Sequence, residues 1–164
     1  AFEPWMIAFS TCTSSAALPV SMEVAPKKMG VPRDIASFVL PLGCTAQMNG
    51  TCAYFGIVVL FAAQLYGVEL SIQQQIMLVV QATFLSVGCA ATPQIGLVIS
   101  LTLMTQMGLP LDAYALVAGI YRIIDQIHTS TNSVGDLVAS VCISEMQGEL
   151  NHDVFNQVEQ KKAA

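Results

Sequence analysis

Charged residues are scarce in this sequence. Only 6 Lys and Arg and 11 Asp and Glu occur among 164 residues, so 10% of the chain is charged, whereas a soluble domain carries about 25%. Hydrophobic residues make up 54%, and the mean hydropathy is +0.63. The composition therefore argues against a soluble domain and indicates a membrane protein in contact with lipid.

The sequence also lacks the cysteine pattern of a disulfide framework or a zinc site. Its five cysteines are odd in number, lie in or beside apolar stretches and form no CxxC pair or Cys/His cluster. We interpret them as small packing residues. No basic patch indicates nucleic acid as a partner, and no basic segment with a cleavage site indicates a signal peptide.

The few basic residues are concentrated in two places, the loop at 26–34 and the C-terminal tail. By the positive-inside rule, both lie in the cytoplasm. The connections near Glu69 and Asp112 contain no Lys or Arg and are expected outside. The basic residues concerned are Lys27, Lys28 and Arg33 in the loop and Lys161 and Lys162 in the tail.

The stretch from 116 to 143 is predicted to be an apolar helix with one file of polar side chains. At 100° per residue, Asp125, Thr129, Asn132 and Asp136 lie within roughly 60° of one another around the axis. His128 and Tyr121 flank this strip. Buried carboxylates are costly in lipid, so the strip is expected to face a protein interior or a water-filled cavity, and by default it is a binding site.

A soluble helix with a solvated polar face is the alternative interpretation of this stretch. Such a face would carry Lys and Glu in numbers. The helix has one Arg and no Lys, which favours the binding site.

Two apolar arms near the N-terminus are too short to cross a bilayer. They cover 1–9 and 16–24, and the hydroxyl-rich run 10–15 joins them. A crossing helix needs about 20 residues, so we predict a re-entrant hairpin that enters and leaves on the cytoplasmic side. A linker between two surface helices is the alternative.

The next apolar runs, 35–46 and 52–66, are together long enough to cross, but 47–51 between them is polar and contains glycine. Irregular backbone at that depth is tolerated where it lines a cavity. Its carbonyl and side-chain oxygens are hard ligands that suit a small cation. We therefore predict a broken transmembrane helix with a site at the break; a kinked helix with a packing role is the alternative.

A second hairpin is predicted after this helix, entered from outside. Ser71 followed by Gln74 is a capping-box pattern. The apolar arms 76–85 and 96–107 flank the small-residue break 86–94, and a Gly-Leu-Pro stop follows.

The two halves of the chain thus share a plan, a hairpin with a broken apex followed by a crossing segment with a polar centre. Interrupted helices in matching positions of repeated halves indicate a secondary transporter. The predicted fold is an all-α membrane protein with two re-entrant helical hairpins, one broken transmembrane helix and one amphipathic transmembrane helix. Residues 1–146 form this core and 147–164 a polar cytoplasmic tail.

Four motifs occur in a fixed order along the chain. They are Thr13-Ser14-Ser15-Ala16-Ala17-Leu18-Pro19-Val20, Leu40-Pro41-Leu42-Gly43, Gln47-Met48-Asn49-Gly50-Thr51 and Asn132-Ser133-Val134-Gly135-Asp136. With them, about residues 5 to 145 resemble the C-terminal half of the dicarboxylate/amino acid:cation symporter family, the glutamate-transporter family.

The resemblance implies a sodium-coupled symporter of an amino acid or a dicarboxylate, multi-pass in the cell membrane. It implies that this core moves as a unit against an N-terminal scaffold half, that the scaffold holds a homotrimer, and that this chain is a fragment.

The resemblance also implies the site residues. Substrate would lie between both hairpin tips and the last helix, with Asp125 holding a substrate amino group. One sodium site would use Asp136 and the carbonyls of Gly43, Gln47 and Asn132. Substrate-binding residues carried over by motif are Cys12, Ser14, Thr51, Thr92, Gly96, Asp125, His128, Thr129 and Asn132, and those of a second sodium site are Thr45, Met48, Ser86, Val87 and Cys89.

Three departures from the family pattern bear on function. Asn49 stands where the family has the aspartate of a third sodium site, which bears on the ion count. His128 stands where an arginine pairs with an acidic substrate side chain, and imidazole lacks both the fixed charge and the bidentate fork. Ala91 and Gln94 occupy positions of the second tip often held by glycine.

Two alternative functions are weighed. One is a membrane-embedded enzyme that uses Asp125, His128 and Asp136, but no Ser or Cys nucleophile is tied to a base by spacing. The other is a non-transporting ligand-binding relative, or a fragment without activity of its own.

Overall fold

A computed structural model describes residues 1–89 and 91–160, and this part of the chain is all-helical, as predicted. Its helices are α1 (Phe2–Thr11), α2 (Ser14–Lys28), α3 (Arg33–Ala46), α4 (Asn49–Leu65), α5 (Ile72–Val87), α6 (Ile95–Gln106), α7 (Asp112–Met146) and α8 (His152–Gln160).

Helices α1 and α2 pack against each other and both contact α7. The turn between them is shorter than the predicted 10–15 segment and consists of Cys12, with φ 55°, and the extended Thr13. The helix continues to Thr11 because the hydroxyls of Ser10 and Thr11 donate back to the carbonyl of Ile7. This local bonding lets hydroxyl residues remain helical.

The interruption between α3 and α4 is also shorter than predicted. Only Gln47 and Met48 leave the helix, and Gly50 and Thr51 already belong to the first turn of α4. The 33-residue segment 33–65 is the one described stretch that meets the length and composition of a membrane span.

The capping box at the start of α5 is confirmed. The amide nitrogen of Gln74 donates to Oγ of Ser71, and the amide nitrogen of Ser71 donates to Oε1 of Gln74. Helix α6 ends before Gly108, whose φ of +68° suits the predicted helix stop.

Helix α7 is the centre of the fold. It runs unbroken over 35 residues, about 52 Å at 1.5 Å per residue, and contacts α1, α2, α3, α4 and α6. One apolar core lies among α4 to α7 around Phe55 and Leu103, and a second lies among α2, α3 and α7 around Leu40 and Leu137. The polar strip of α7 is held between these two cores.

Large apolar side chains cover much of the outer surface of α3 to α7. A soluble protein does not expose apolar surface on this scale, so lipid or another protein segment must cover it. The most exposed include Phe38, Ile57, Ile72, Phe84, Val98, Ile123 and Ile127.

The tail packs back onto the loop between α2 and α3. The amide nitrogen of Asn151 donates to the carbonyl of Gly30 at 2.9 Å, so the predicted basic loop and the start of the tail lie at the same end of the molecule. Lys161 and Lys162, on which part of the orientation prediction rests, lie outside the described residues.

Candidate functional site

The polar strip of α7 is buried, as its side-chain pattern predicted. Asp125, Thr129, Asn132 and Asp136 are each no more than 7% exposed. They face the α1–α2 turn, the α3–α4 interruption and the α5–α6 connection. The fold therefore brings the three interruptions of the helical chain to one face of one helix.

Asn132 binds the interruption between α3 and α4. Its Oδ1 accepts from the amide nitrogens of Gly50 at 2.7 Å and Thr51 at 3.4 Å. Its Nδ2 donates to Oγ1 of Thr51 at 2.9 Å and to Sδ of Met48 at 3.2 Å. Asn132 thus acts as an N-cap for α4 that comes from another helix.

Asp125 is bonded to its own helix and to the second connection. Its Oδ1 accepts from Oγ1 of Thr129 at 2.9 Å, and its Oδ2 accepts from the amide nitrogen of Gln94 at 3.1 Å. Gln94 has φ 67°. This left-handed conformation is uncommon for a residue with a side chain.

His128 is surrounded by protein side chains rather than by open space. Its Nδ1 lies 3.3 Å from Oγ1 of Thr51, and its Nε2 lies 3.3 Å from the hydroxyl of Tyr121 and 3.4 Å from Oδ1 of Asp125. The ring stacks on Tyr54 with centroids 5.3 Å apart. Both ring nitrogens therefore have partners, although His128 also lines the central cavity.

The α1–α2 turn and the α5–α6 connection touch each other. Oγ1 of Thr13 donates to the carbonyl of Ala91 at 2.6 Å, and Oγ of Ser15 donates to the same carbonyl at 3.4 Å. The cavity behind this contact has a volume of only about 20 Å³, room for about one water molecule. All nine residues expected to bind substrate line it, together with Thr13, Met48, Cys89, Ala91 and Ile95.

The residues of the first expected sodium site lie together. Gly43 packs directly against the carboxylate of Asp136, since a Cβ at Gly43 would fall 2.5 Å from Oδ1. The carboxamide of Gln47 lies 3.1 Å from both the carbonyl oxygen of Asn132 and Oδ1 of Asp136. A carboxylate and neighbouring carbonyls form a hard oxygen set that fits a small cation.

The other expected metal ligands differ in burial. Helices α3 and α5 are in contact, and Met48, Ser86 and Cys89 are buried, but Thr45 and Val87 are exposed. Asn49 is exposed as well, and its Oδ1 accepts from the amide nitrogen of Gly50 at 2.9 Å.

The sequence reasoning missed the contacts between elements. It did not identify Thr13 and Ser15 as partners of Ala91, or Tyr54 as the ring beneath His128. No local pattern marks these pairs. A Tyr one helical turn after Thr51 was the only signal in the sequence for the stacking partner.

An all-helical fold with buried carboxylates inside an apolar exterior defines a membrane protein with an internal polar site, a class that includes secondary transporters. The sequence profile of the Sodium:dicarboxylate symporter family matches residues 1–146. The chain belongs to this family.

Individual relatives agree with this assignment. Over 146 residues the chain is 39% identical to a proton/sodium-glutamate symport protein of Bacillus subtilis, covering 89% of this chain and 34% of the relative. It is 37% identical over 139 residues to an excitatory amino acid transporter of Caenorhabditis elegans, covering 85% and 28%. It is 34% identical over 167 residues to human excitatory amino acid transporter 2, covering 98% and 29%.

The chain spans about a third of the length of these relatives. The family and these relatives are transporters, not enzymes.

Proposed function

We propose that this chain is the substrate-binding core of a sodium-coupled symporter for an amino acid. The observation that carries the proposal is the buried carboxylate of Asp125 at the meeting point of both hairpin tips and α7. A carboxylate in an apolar surrounding requires a partner of positive charge or several donors. A substrate ammonium group would supply both, in competition with the amide nitrogen of Gln94.

The second tip, around 88–94, is proposed to open for substrate entry. A cavity of about 20 Å³ does not hold an amino acid, so the described conformation is closed. Entry requires loss of the bonds from Thr13 and Ser15 to Ala91 and of the bond from Gln94 to Asp125. These are few and lie at the edge of the cavity, which supports a moving tip.

His128 is proposed to select a polar, uncharged substrate side chain. A neutral imidazole has one donor and one acceptor, and the hydroxyls of Thr51 and Tyr121 already occupy both nitrogens. A substrate side chain would join this hydroxyl network instead of meeting a fixed positive charge. The glutamate named for the bacterial relative would require His128 to carry a proton.

Sodium is proposed to bind beside Asp136. Gly43, Gln47 and Asn132 would supply backbone oxygens, and Asp136 would supply the charge. A bound cation would provide the positive charge that a buried carboxylate needs. Asn49 does not supply a second carboxylate, and its side chain instead bonds the backbone of Gly50.

The proposed membrane arrangement is the one expected from the sequence. We propose that α1–α2 and α5–α6 are re-entrant hairpins from opposite sides of the cell membrane and that the α2–α3 loop is cytoplasmic. We also propose that a scaffold half outside this chain covers α4 and α7 and holds a homotrimer. The exposed apolar faces of these two helices support such a cover.

Sodium-driven uptake in proteoliposomes tests the proposal. The full-length protein should accumulate a neutral polar amino acid when an inward sodium gradient is imposed, and Asp125→Asn should abolish uptake. Equal uptake with sodium and with choline would contradict sodium coupling. Ligand binding without uptake would instead indicate the non-transporting relative.

A further inference from the structure

The side chain of Gln47 lies where a cation at Asp136 would need room. One polar atom of its carboxamide is 3.1 Å from the carbonyl oxygen of Asn132 and 3.1 Å from Oδ1 of Asp136. Both neighbours are acceptors, so the atom between them is the amide nitrogen, assigned from its hydrogen-bonding environment. Gln47 therefore donates two hydrogen bonds to two of the oxygens proposed as sodium ligands.

The fold makes room for this carboxamide. A Cβ at Gly135 would overlap it, coming nearest to the carboxamide oxygen in this orientation and lying 2.8 Å from the nitrogen. The glycine thus allows Gln47 to lie against α7. On the other side, Gln47 and Gly135 line an open groove of about 650 Å³, into which the amide can turn.

The amide and a cation cannot use the same oxygens at once. The NH₂ group carries partial positive charge, and a hydrogen bond from it to a buried carboxylate is among the stronger ones in proteins. It therefore offsets the cost of leaving Asp136 without a counter-ion. Any cation that binds must first displace it.

We propose that the Gln47 carboxamide is an internal competitor for the cation at Asp136, bound to Asp136 and Asn132 when the cation is absent and turned into the groove when it is present. This inference rests on the sodium site of the proposed function. Gln47 is then a positioning residue that sets how much sodium the site requires.

Thermal unfolding of the purified protein in detergent tests the inference. The unfolding temperature is measured against NaCl, with choline chloride holding the ionic strength constant and no substrate present. Gln47→Met keeps the side-chain length and removes both donors. We expect this variant to have a lower unfolding temperature without sodium. It should reach half of its sodium-induced stabilisation at an about tenfold lower sodium concentration, which corresponds to one hydrogen bond to a charged group.

Two matched variants keep the test specific. Gln64→Met changes an exposed glutamine of α4 and should leave the sodium titration unchanged. Gly135→Ala should push the amide off Asp136 and shift the titration in the same direction as Gln47→Met. Gly119→Ala, on the same helix with no described atom within 4 Å of its Cβ, should not.

The outcomes separate the two proposals. If Gln47→Met raises the sodium requirement, or leaves it unchanged while the wild type responds to sodium, competition by Gln47 is refuted and the sodium site stands. If neither protein responds to sodium, both the sodium site and the competition by Gln47 are refuted. A shift of equal size in Gln64→Met would also refute the role of Gln47.

Discussion

Substitution of Asn132 by alanine should destabilise the fold more than any other single change on the polar strip. Asn132 is buried and holds both amide nitrogens at the start of α4, together with the hydroxyl of Thr51. Alanine would leave the buried amide nitrogen of Thr51 without this acceptor, and the amide nitrogen of Gly50 would keep only its bond to the exposed Asn49. Loss of this cap leaves a buried donor unsatisfied, which costs about 1–3 kcal/mol, and we expect a destabilisation of that size.

Asn49 provides the matched control. Its Oδ1 accepts from the same amide nitrogen of Gly50, at 2.9 Å, but the residue is exposed. Water can replace that bond, so Asn49→Ala should cost at most about 1 kcal/mol.

Reversible denaturation in detergent, followed by circular dichroism, would give both free energies of unfolding. The two variants remove the same kind of side chain, each bonded to the amide nitrogen of Gly50 at the start of α4, and they differ in burial. If Asn49→Ala is as destabilising as Asn132→Ala, or if Asn132→Ala is neutral, the assignment of Asn132 as the cap of α4 is refuted.

Three further outcomes test the site. Asp136→Asn should raise the sodium concentration needed for ligand binding at least several-fold without impairing membrane insertion, because it removes the only charge in the ligand set; an unchanged sodium dependence would refute the assignment. A thiol reagent should label Cys89, which lines the closed cavity, more slowly when sodium and substrate are both present. The labelling rate of the exposed Cys142 should not change. Equal labelling rates of Cys89 with and without sodium and substrate would count against a moving tip. His128→Arg should shift competition binding toward aspartate and glutamate, because Arg carries a fixed charge and a bidentate fork. The affinity of the wild type for a neutral substrate should change little between about pH 8 and about pH 6. An unaltered ranking of competitors would mean that His128 does not contact the substrate side chain.

The contact between the α1–α2 turn and the α5–α6 connection stabilises the closed form, and under the proposed function it must break for substrate to enter. Thr13 and Ser15 both donate to the carbonyl of Ala91, and Asp125 accepts from Gln94. A substrate ammonium group would replace the last of these bonds. Under the proposed function, substrate binding would thus exchange a protein donor for a ligand donor at Asp125, and the carboxylate would be paired both in the closed form and in the substrate complex.

Local patterns were sufficient to predict the class of fold and the position of the strip. The polar file of α7 follows from the 3.6-residue period of a helix. The capping box at Ser71 and the stop at Gly108 depend on residues within a few positions of each other. These features are short-range, so the order of residues alone determines them. The family motifs added the expected identities of the ligand residues.

Only the tertiary structure decided how the interruptions end and what fills the site. The break before α4 is two residues long because Asn132, 82 positions from Gly50 in the chain, satisfies the first amides of the helix. The tips meet through Thr13 and Ala91, 78 positions apart, and Gln47 bonds Asp136 because Gly135 leaves space for its carboxamide. Each of these depends on which distant group lies within hydrogen-bonding distance, and only the packing of α7 against the other helices brings those groups together.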